Sequence, residues 1–181
     1  MESRDHQHDE FAACIVPLAG RRHVIHERDL APLIAAHARL LDLCDQLEAC
    51  ADALPGRVSD AAVAAVRHDL GAVVASHPRD ENAVIDALFA RHFDDSLTAA
   101  VVGRLRARHV SDAIQAEDIL ATLSGASTPC AEAFGYMLRS FFGGCRQAVD
   151  FTKLAVLTLG AGRLTRGARD LLVRGLVERA V

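Results

Sequence analysis

Four long segments with helical periodicity constrain this chain more than any other feature of its sequence. In each segment, apolar residues recur every three or four positions over about 25–30 residues, and short runs of Pro, Gly, Ser or Asp separate the segments. A helix with one apolar stripe must bury that stripe against other helices. The 181 residues therefore predict one all-α domain, an up-down four-helix bundle with a short N-terminal extension and a C-terminal fifth helix.

Composition supports a helical fold and argues against two classes of function. Aromatic residues make up 4% of the chain, and Trp is absent. The formal net charge is −4, with acidic and basic residues interspersed, so nucleic-acid binding is not expected. No stretch reaches the roughly 20 apolar residues of a membrane-spanning helix, and the N-terminus is too polar for a secretory signal. We expect a soluble, cytoplasmic protein that binds neither nucleic acid nor membrane.

Pro and Gly residues set the predicted boundaries. Residues 1–28 are predicted as a polar N-terminal extension, residues 29–160 as the four-helix bundle and residues 161–181 as a helix packed on the bundle. Within the bundle, the predicted helices cover residues 29–54, 59–89, 95–123 and 128–159.

The second segment carries the residues with the clearest chemistry. His77 and Glu81 are four positions apart, which on a helix puts both side chains on one face, roughly 5–6 Å apart at Cβ. An imidazole and a carboxylate so placed can hold a transition-metal ion. His37 and His109 lie on the apolar stripes of the first and third segments, so these four residues are predicted to converge. They would form either a metal site or a buried, hydrogen-bonded His–Glu–His cluster without metal.

Pro78 stands directly after His77 and has two possible consequences. It removes a backbone N–H in mid-helix, at a cost on the order of 3 kcal/mol unless a kink is accommodated. The predicted outcome is either a kink that shifts His77 relative to Glu81 or a break between two helices. His68, by contrast, falls off the apolar stripe and is predicted to lie on the surface.

The third segment contains two further candidate ligands besides His109. Its predicted inward face includes Leu97, Leu105 and His109. Asp112 and Glu117 flank this face, and either could add a ligand if the helix were rotated from the predicted orientation.

The order of these residues resembles the hemerythrin-like (HHE) cation-binding domains of bacteria. The shared pattern is a His in the first helix, His-x-x-x-Glu in the second, Arg-His in the third and Leu-Arg-Ser-Phe-Phe before a last long helix. It covers about residues 29–178, and Val-Leu-Thr-Leu at 156–159 is similar to the family's closing Leu-Leu-Pro-Leu. The resemblance implies a four-helix bundle that holds a non-haem di-iron centre.

The resemblance also implies which ligands this chain has and lacks. It places family ligands at His37, His77, Glu81 and His109. Where the family has a second ligand on the third helix and a His-x-x-x-Glu pair on the fourth, this chain has Ala113, Ala148 and Thr152. With one bridging carboxylate, two irons and reversible O₂ binding are not expected. The resemblance implies one mononuclear iron or zinc ion at most, or no metal at all.

Three functions are therefore compared. The first is a hemerythrin-like protein with an incomplete site that binds at most one metal ion and acts in sensing or regulation. The second is a metal-free helical module that binds a partner protein or forms a homodimer. An enzyme of the di-iron carboxylate class is disfavoured because the chain contains no Glu-x-x-His pair, and no other catalytic base, nucleophile or cofactor loop stands out.

Overall fold

Helices account for nearly all of the part of the chain that the computed structural model describes, residues 23–56 and 59–177. The helices are α1 (Glu27–Asp52), α2 (Asp60–Phe89), α3 (Ser96–Leu123), α4 (Ala131–Leu159) and α5 (Arg166–Val177). The all-α prediction is confirmed for these residues, and none of their helices is long and apolar enough to cross a membrane. The first 22 residues of the predicted extension and the last four of the predicted fifth helix lie outside the described residues.

Capping side chains explain where three helices begin. Ser59 and Asp95 each accept a hydrogen bond from the backbone N–H three residues later, at 3.2 and 2.8 Å, as N-cap residues do. Helix α1 starts two residues before the predicted position because Asp29 acts inside its first turn. The carboxylate of Asp29 accepts from the backbone N–H of His26 at 2.9 Å, which makes His26 the N-cap.

The four long helices pack in a closed ring. Helix α1 contacts α2 and α4, and α3 contacts the same two helices. The core consists of two apolar clusters. One is built from the second halves of α1 and α3, the first half of α2 and the first two-thirds of α4. The other uses the opposite ends of these helices together with α5. Between the two clusters lies a level at which the helices bring polar residues to the centre.

The segment before α1 closes one end of the structure together with α5. Ile25 is fully buried, and it pairs with the loop before α5: its N–H donates to the Arg163 carbonyl at 2.8 Å and its carbonyl accepts from Thr165 at 3.0 Å. The Arg163 side chain donates to the Leu88 carbonyl at 2.8 Å and stacks over the Phe89 ring at 5.1 Å. Because carbonyls in the last turn of a helix lack helical partners, Arg163 caps the C-terminus of α2.

Helix α2 runs through Pro78 without a break. Of the two alternatives, the break between two helices is therefore wrong, and His77 and Glu81 share one helix. Proline removes only one backbone N–H donor, and the residues on both sides of Pro78 stay helical.

The start of α3 is rotated from its predicted orientation. Leu97, which was predicted to face inward, is 57% exposed, whereas Thr98 is buried. The N–H and the hydroxyl of Thr98 both donate to the Asp95 carboxylate at 2.8 Å. This double hydrogen bond sets the first turn so that Thr98, and not Leu97, faces the core.

Candidate metal centre

All four predicted site residues meet at the level between the two apolar clusters. Glu81 of α2 is 3% exposed and lies between His37 of α1 (1%) and His109 of α3 (9%). His37 Nε2 is 2.9 Å from Glu81 Oε1, and His109 Nε2 is 2.6 Å from Glu81 Oε2. These three residues are called the His–Glu–His clamp, and together with His77 they form the histidine cluster.

The clamp is held by an ionised carboxylate. Burial raises the pKa of the Glu81 carboxyl, but the hydrogen bonds from His109 and His37 lower it by more, so the net pKa lies below its ordinary value. An ionised carboxylate only accepts hydrogen bonds. Both His37 and His109 therefore carry a hydrogen on Nε2 and donate it to Glu81.

His77 lies beside the clamp as a third imidazole. Its ring centroid is 5.9 Å from that of His37 and 5.6 Å from that of His109. Burial lowers the pKa of His77 from 6.5 to about 4, and attraction to Glu81 opposes this only in part. The ring is thus neutral at pH 7, and its buried Nδ1 has no hydrogen-bond partner among the described residues. A neutral imidazole with an uncommitted nitrogen is able to bind a metal.

Three of these residues form a candidate group for a single metal ion. His77, Glu81 and His109 each offer one ligand atom, and these atoms lie within 4.8 Å of one another. Two imidazoles and a carboxylate form a donor set used by mononuclear iron and zinc. His37, on the other oxygen of Glu81, is a fourth donor beside this group.

The surroundings of the donors fit a metal less well. Metal-binding histidines usually donate their second ring N–H to a carboxylate or carbonyl, which orients the ring. Binding an ion through Nε2 of His37 or His109 would break the hydrogen bonds that these nitrogens make to Glu81. Nδ1 of both rings would then be the supporting nitrogen, and it is buried without a partner in the described structure, so we expect a metal affinity about 10–100-fold lower than that of a fully supported site.

Helix α4 adds no ligand to the cluster. Ala148 has no donor atom, and the Thr152 hydroxyl donates to the Ala148 carbonyl at 3.1 Å within its own helix. On α3, Glu117 is exposed, so it lies away from the site. Asp112 is partly buried and pairs with Arg108 at 2.7 Å, and burial raises the pKa of its carboxyl.

A cavity of about 290 Å³ adjoins the histidine cluster between α2, α3 and α4. The cluster forms one wall, to which His77, Glu81 and His109 contribute. The guanidinium groups of Arg104 and Arg108 line other parts of the cavity. The site is therefore a set of metal-type ligands beside a space large enough for a small molecule.

Sequence reasoning did not identify Arg108 and Gly144 as part of this site. A Cβ at residue 144 would overlap the Arg108 guanidinium, whereas nothing lies within 4 Å of a Cβ at Gly143. The spacing of Arg108 and Asp112, four residues apart, was a signal for their ion pair. Which of the two glycines faces Arg108 depends on the rotation of α4 against α3.

No protein-family model, no curated protein and no solved structure matches this chain. The residues and the geometry described above therefore carry the functional assignment.

Proposed function

We propose that this protein is a hemerythrin-like up-down four-helix bundle that binds at most one metal ion and acts in sensing or regulation. Iron or zinc would be held by His37, His77, Glu81 and His109. The order of the motifs along the chain supports the family assignment. The closed ring of helix contacts, with alternating helix ends in each apolar cluster, supports the up-down arrangement.

The observation that carries the metal proposal is the state of His77. Both oxygens of Glu81 are already bonded to His37 and His109, so the clamp is complete without a third imidazole. A buried polar atom without a partner destabilises a protein by about 1–3 kcal/mol. His77 bears such an atom, Nδ1, and is kept neutral beside a carboxylate. Metal coordination gives this otherwise unfavourable residue a role.

The ligand count supports a sensing or regulatory role. Among the described residues, the group of ligand atoms that lie within 4.8 Å of one another contains one carboxylate, Glu81, and no residue of α4, so a pair of bridged ions is disfavoured. A single ion with three or four protein ligands can keep a coordination position for an external ligand. The adjoining cavity provides space for that ligand.

Metal content tests this proposal directly. Untagged wild-type protein, His77→Ala and His68→Ala would be purified in parallel, and iron and zinc would be measured by elemental analysis. His68 is an exposed histidine on the same helix and serves as the matched control. We expect about one ion per chain in the wild type and in the control, and loss of that ion in His77→Ala. Two ions per chain, or equal metal content in all three proteins, would contradict the proposal.

A metal-free interaction module is the second candidate. Both oxygens of Glu81 already accept hydrogen bonds from His37 and His109, and this favours a purely structural cluster. Val110 and Ile114, one turn apart on α3, are 63% and 58% exposed and offer an apolar patch for a homodimer or another protein. Under this alternative the purified protein contains no metal. Sedimentation would then detect a dimer that Ile114→Glu dissociates, while the His77→Ala variant stays dimeric.

A further inference from the structure

We infer that the cavity beside the histidine cluster binds a small organic carboxylate, held by Arg108 at one end and by the metal ion at the other. This inference rests on the proposed metal site and adds the class of ligand that the site recognises. It is carried by the position of Arg108 in the cavity wall, by its close approach to Gly144 and by the mixed polarity of the other walls.

Arg108 places a guanidinium group in the wall of the cavity, and 33% of its side chain is exposed. Its Nη2 lies 2.7 Å from Asp112 Oδ1 as an ion pair. Nη2 and Nε are buried, so the exposed third of the Arg108 side chain is the part that a ligand in the cavity would contact. A guanidinium presents five N–H donors in a planar fork, and a carboxylate matches this fork with two oxygens.

The opposite helix is shaped to leave room for this guanidinium. Arg108 lies against Gly144 of α4, at a place that a Cβ would occupy. An alanine at 144 would displace Arg108, while an alanine at Gly143 would meet no atom within 4 Å. The two neighbouring glycines therefore separate a general effect of alanine on the helix from an effect on Arg108.

The remaining walls favour an organic ligand over an inorganic anion. Leu105, Ala148 and Phe151 line the cavity with apolar surface. Arg104 lies 5.8 Å from the centre of the Phe151 ring and adds a second cation at the cavity. At about 30 Å³ for each water-sized group, a volume of about 290 Å³ suits a short-chain carboxylic acid.

Charge balance explains why the metal and the carboxylate would bind together. The ionisable groups that line the cavity are Arg104, Arg108, Asp112, Glu81 and two histidines. Two guanidinium groups and two carboxyl groups therefore face the same space. A divalent ion at the histidines would add positive charge to this space, and a bound anion would reduce it.

Cobalt(II) and propionate provide the test. Co(II)-loaded protein, dialysed to remove free ion, would be titrated with sodium propionate while the visible absorption of the Co(II) is recorded. Propionamide, which lacks the charge, is the matched control ligand. We expect saturable spectral changes with propionate only. Binding should weaken about 10–100-fold in Arg108→Gln, because a charge-assisted hydrogen bond is lost. Gly144→Ala should weaken binding in the same direction, and Gly143→Ala should match the wild type.

Each outcome has a distinct meaning. Failure to retain Co(II) after dialysis would overturn the proposed metal site and this inference together. Retained Co(II) with no response to propionate would overturn the carboxylate inference alone. Equal propionate affinity in wild type and Arg108→Gln, at equal Co(II) content, would show that Arg108 does not bind the ligand and would also overturn it.

Discussion

Loss of stability at mildly acidic pH is the sharpest consequence of the buried His77 ring. In the folded, metal-free protein, burial lowers the pKa of His77 to about 4 from an ordinary value of 6.5. Between these two values, the unfolded chain binds a proton at this residue and the folded chain does not. Stability is therefore lost as the pH falls from 6.5 towards 4, and this contribution no longer changes below pH 4.

The magnitude follows from the pKa difference. Each pH unit in this window corresponds to about 1.4 kcal/mol. At pH 7 both states are largely neutral at His77, so the contribution is close to zero. At pH 5, which lies 1.5 units below the unfolded pKa, the loss amounts to about 2 kcal/mol. Glu81, whose pKa is also lowered by folding, adds a loss in the same direction, so a variant is needed to isolate His77.

Urea unfolding of chelator-treated protein at pH 7 and pH 5 would measure this effect. The variant His77→Leu removes the titrating ring and keeps a side chain of similar size. We expect the stability of this variant relative to the wild type to rise by about 2 kcal/mol from pH 7 to pH 5. His68→Leu, at an exposed position on the same helix, should retain the pH dependence of the wild type. If His77→Leu and the wild type lose equal stability between pH 7 and pH 5, the interpretation of His77 as a buried neutral ring is wrong.

Three further predictions concern the clamp, the cap of α2 and the metal-free state. Glu81→Ala leaves two buried imidazole N–H groups without an acceptor and should lower the free energy of unfolding by about 2–4 kcal/mol in urea titrations. The exposed Glu117→Ala is the control. A loss as small as that of the control would refute the His–Glu–His clamp. Arg163→Met should cost about 2–3 kcal/mol, because it removes a buried charged hydrogen bond and a cation–π contact. Arg166→Met, at a side chain that is 96% exposed, should change the stability by no more than about 0.5 kcal/mol, and equal losses in the two variants would refute the cap. Chelation should leave the far-UV circular dichroism unchanged and lower the Tm only modestly, since two apolar clusters hold the helices together; unfolding on chelation would show that the metal is required for the fold.

Periodicity was sufficient to predict the helices and the convergence of the histidine cluster. His37, His77, Glu81 and His109 each lie on an apolar stripe, and an apolar stripe faces the core whichever neighbour covers it. Ser59 and Asp95 were also predictable as helix starts, because N-capping depends on local sequence. These features need no knowledge of how one helix is rotated against another.

The features that sequence did not predict all depend on such rotations. At the start of α3, periodicity alone could not tell that Thr98 would face inward instead of Leu97, since the double hydrogen bond to Asp95 sets that turn. The cavity arises from the facing of Arg108 and Gly144 across two helices. Position along the sequence gives neither the separation nor the mutual orientation of residues on different helices.

His77 distinguishes the two candidate functions because stability and metal binding make opposite demands on it. A structural clamp needs His37, Glu81 and His109 and gains nothing from a third imidazole with an unpaired buried nitrogen. Replacing His77 by leucine should therefore stabilise a purely structural cluster, as replacement of an unsatisfied polar group by an apolar one does. In a metal protein, the same substitution removes a ligand. We expect His77 to lower the stability of the metal-free protein, and it lies beside a cavity and among other donors. Binding sites often show this exchange of stability for function.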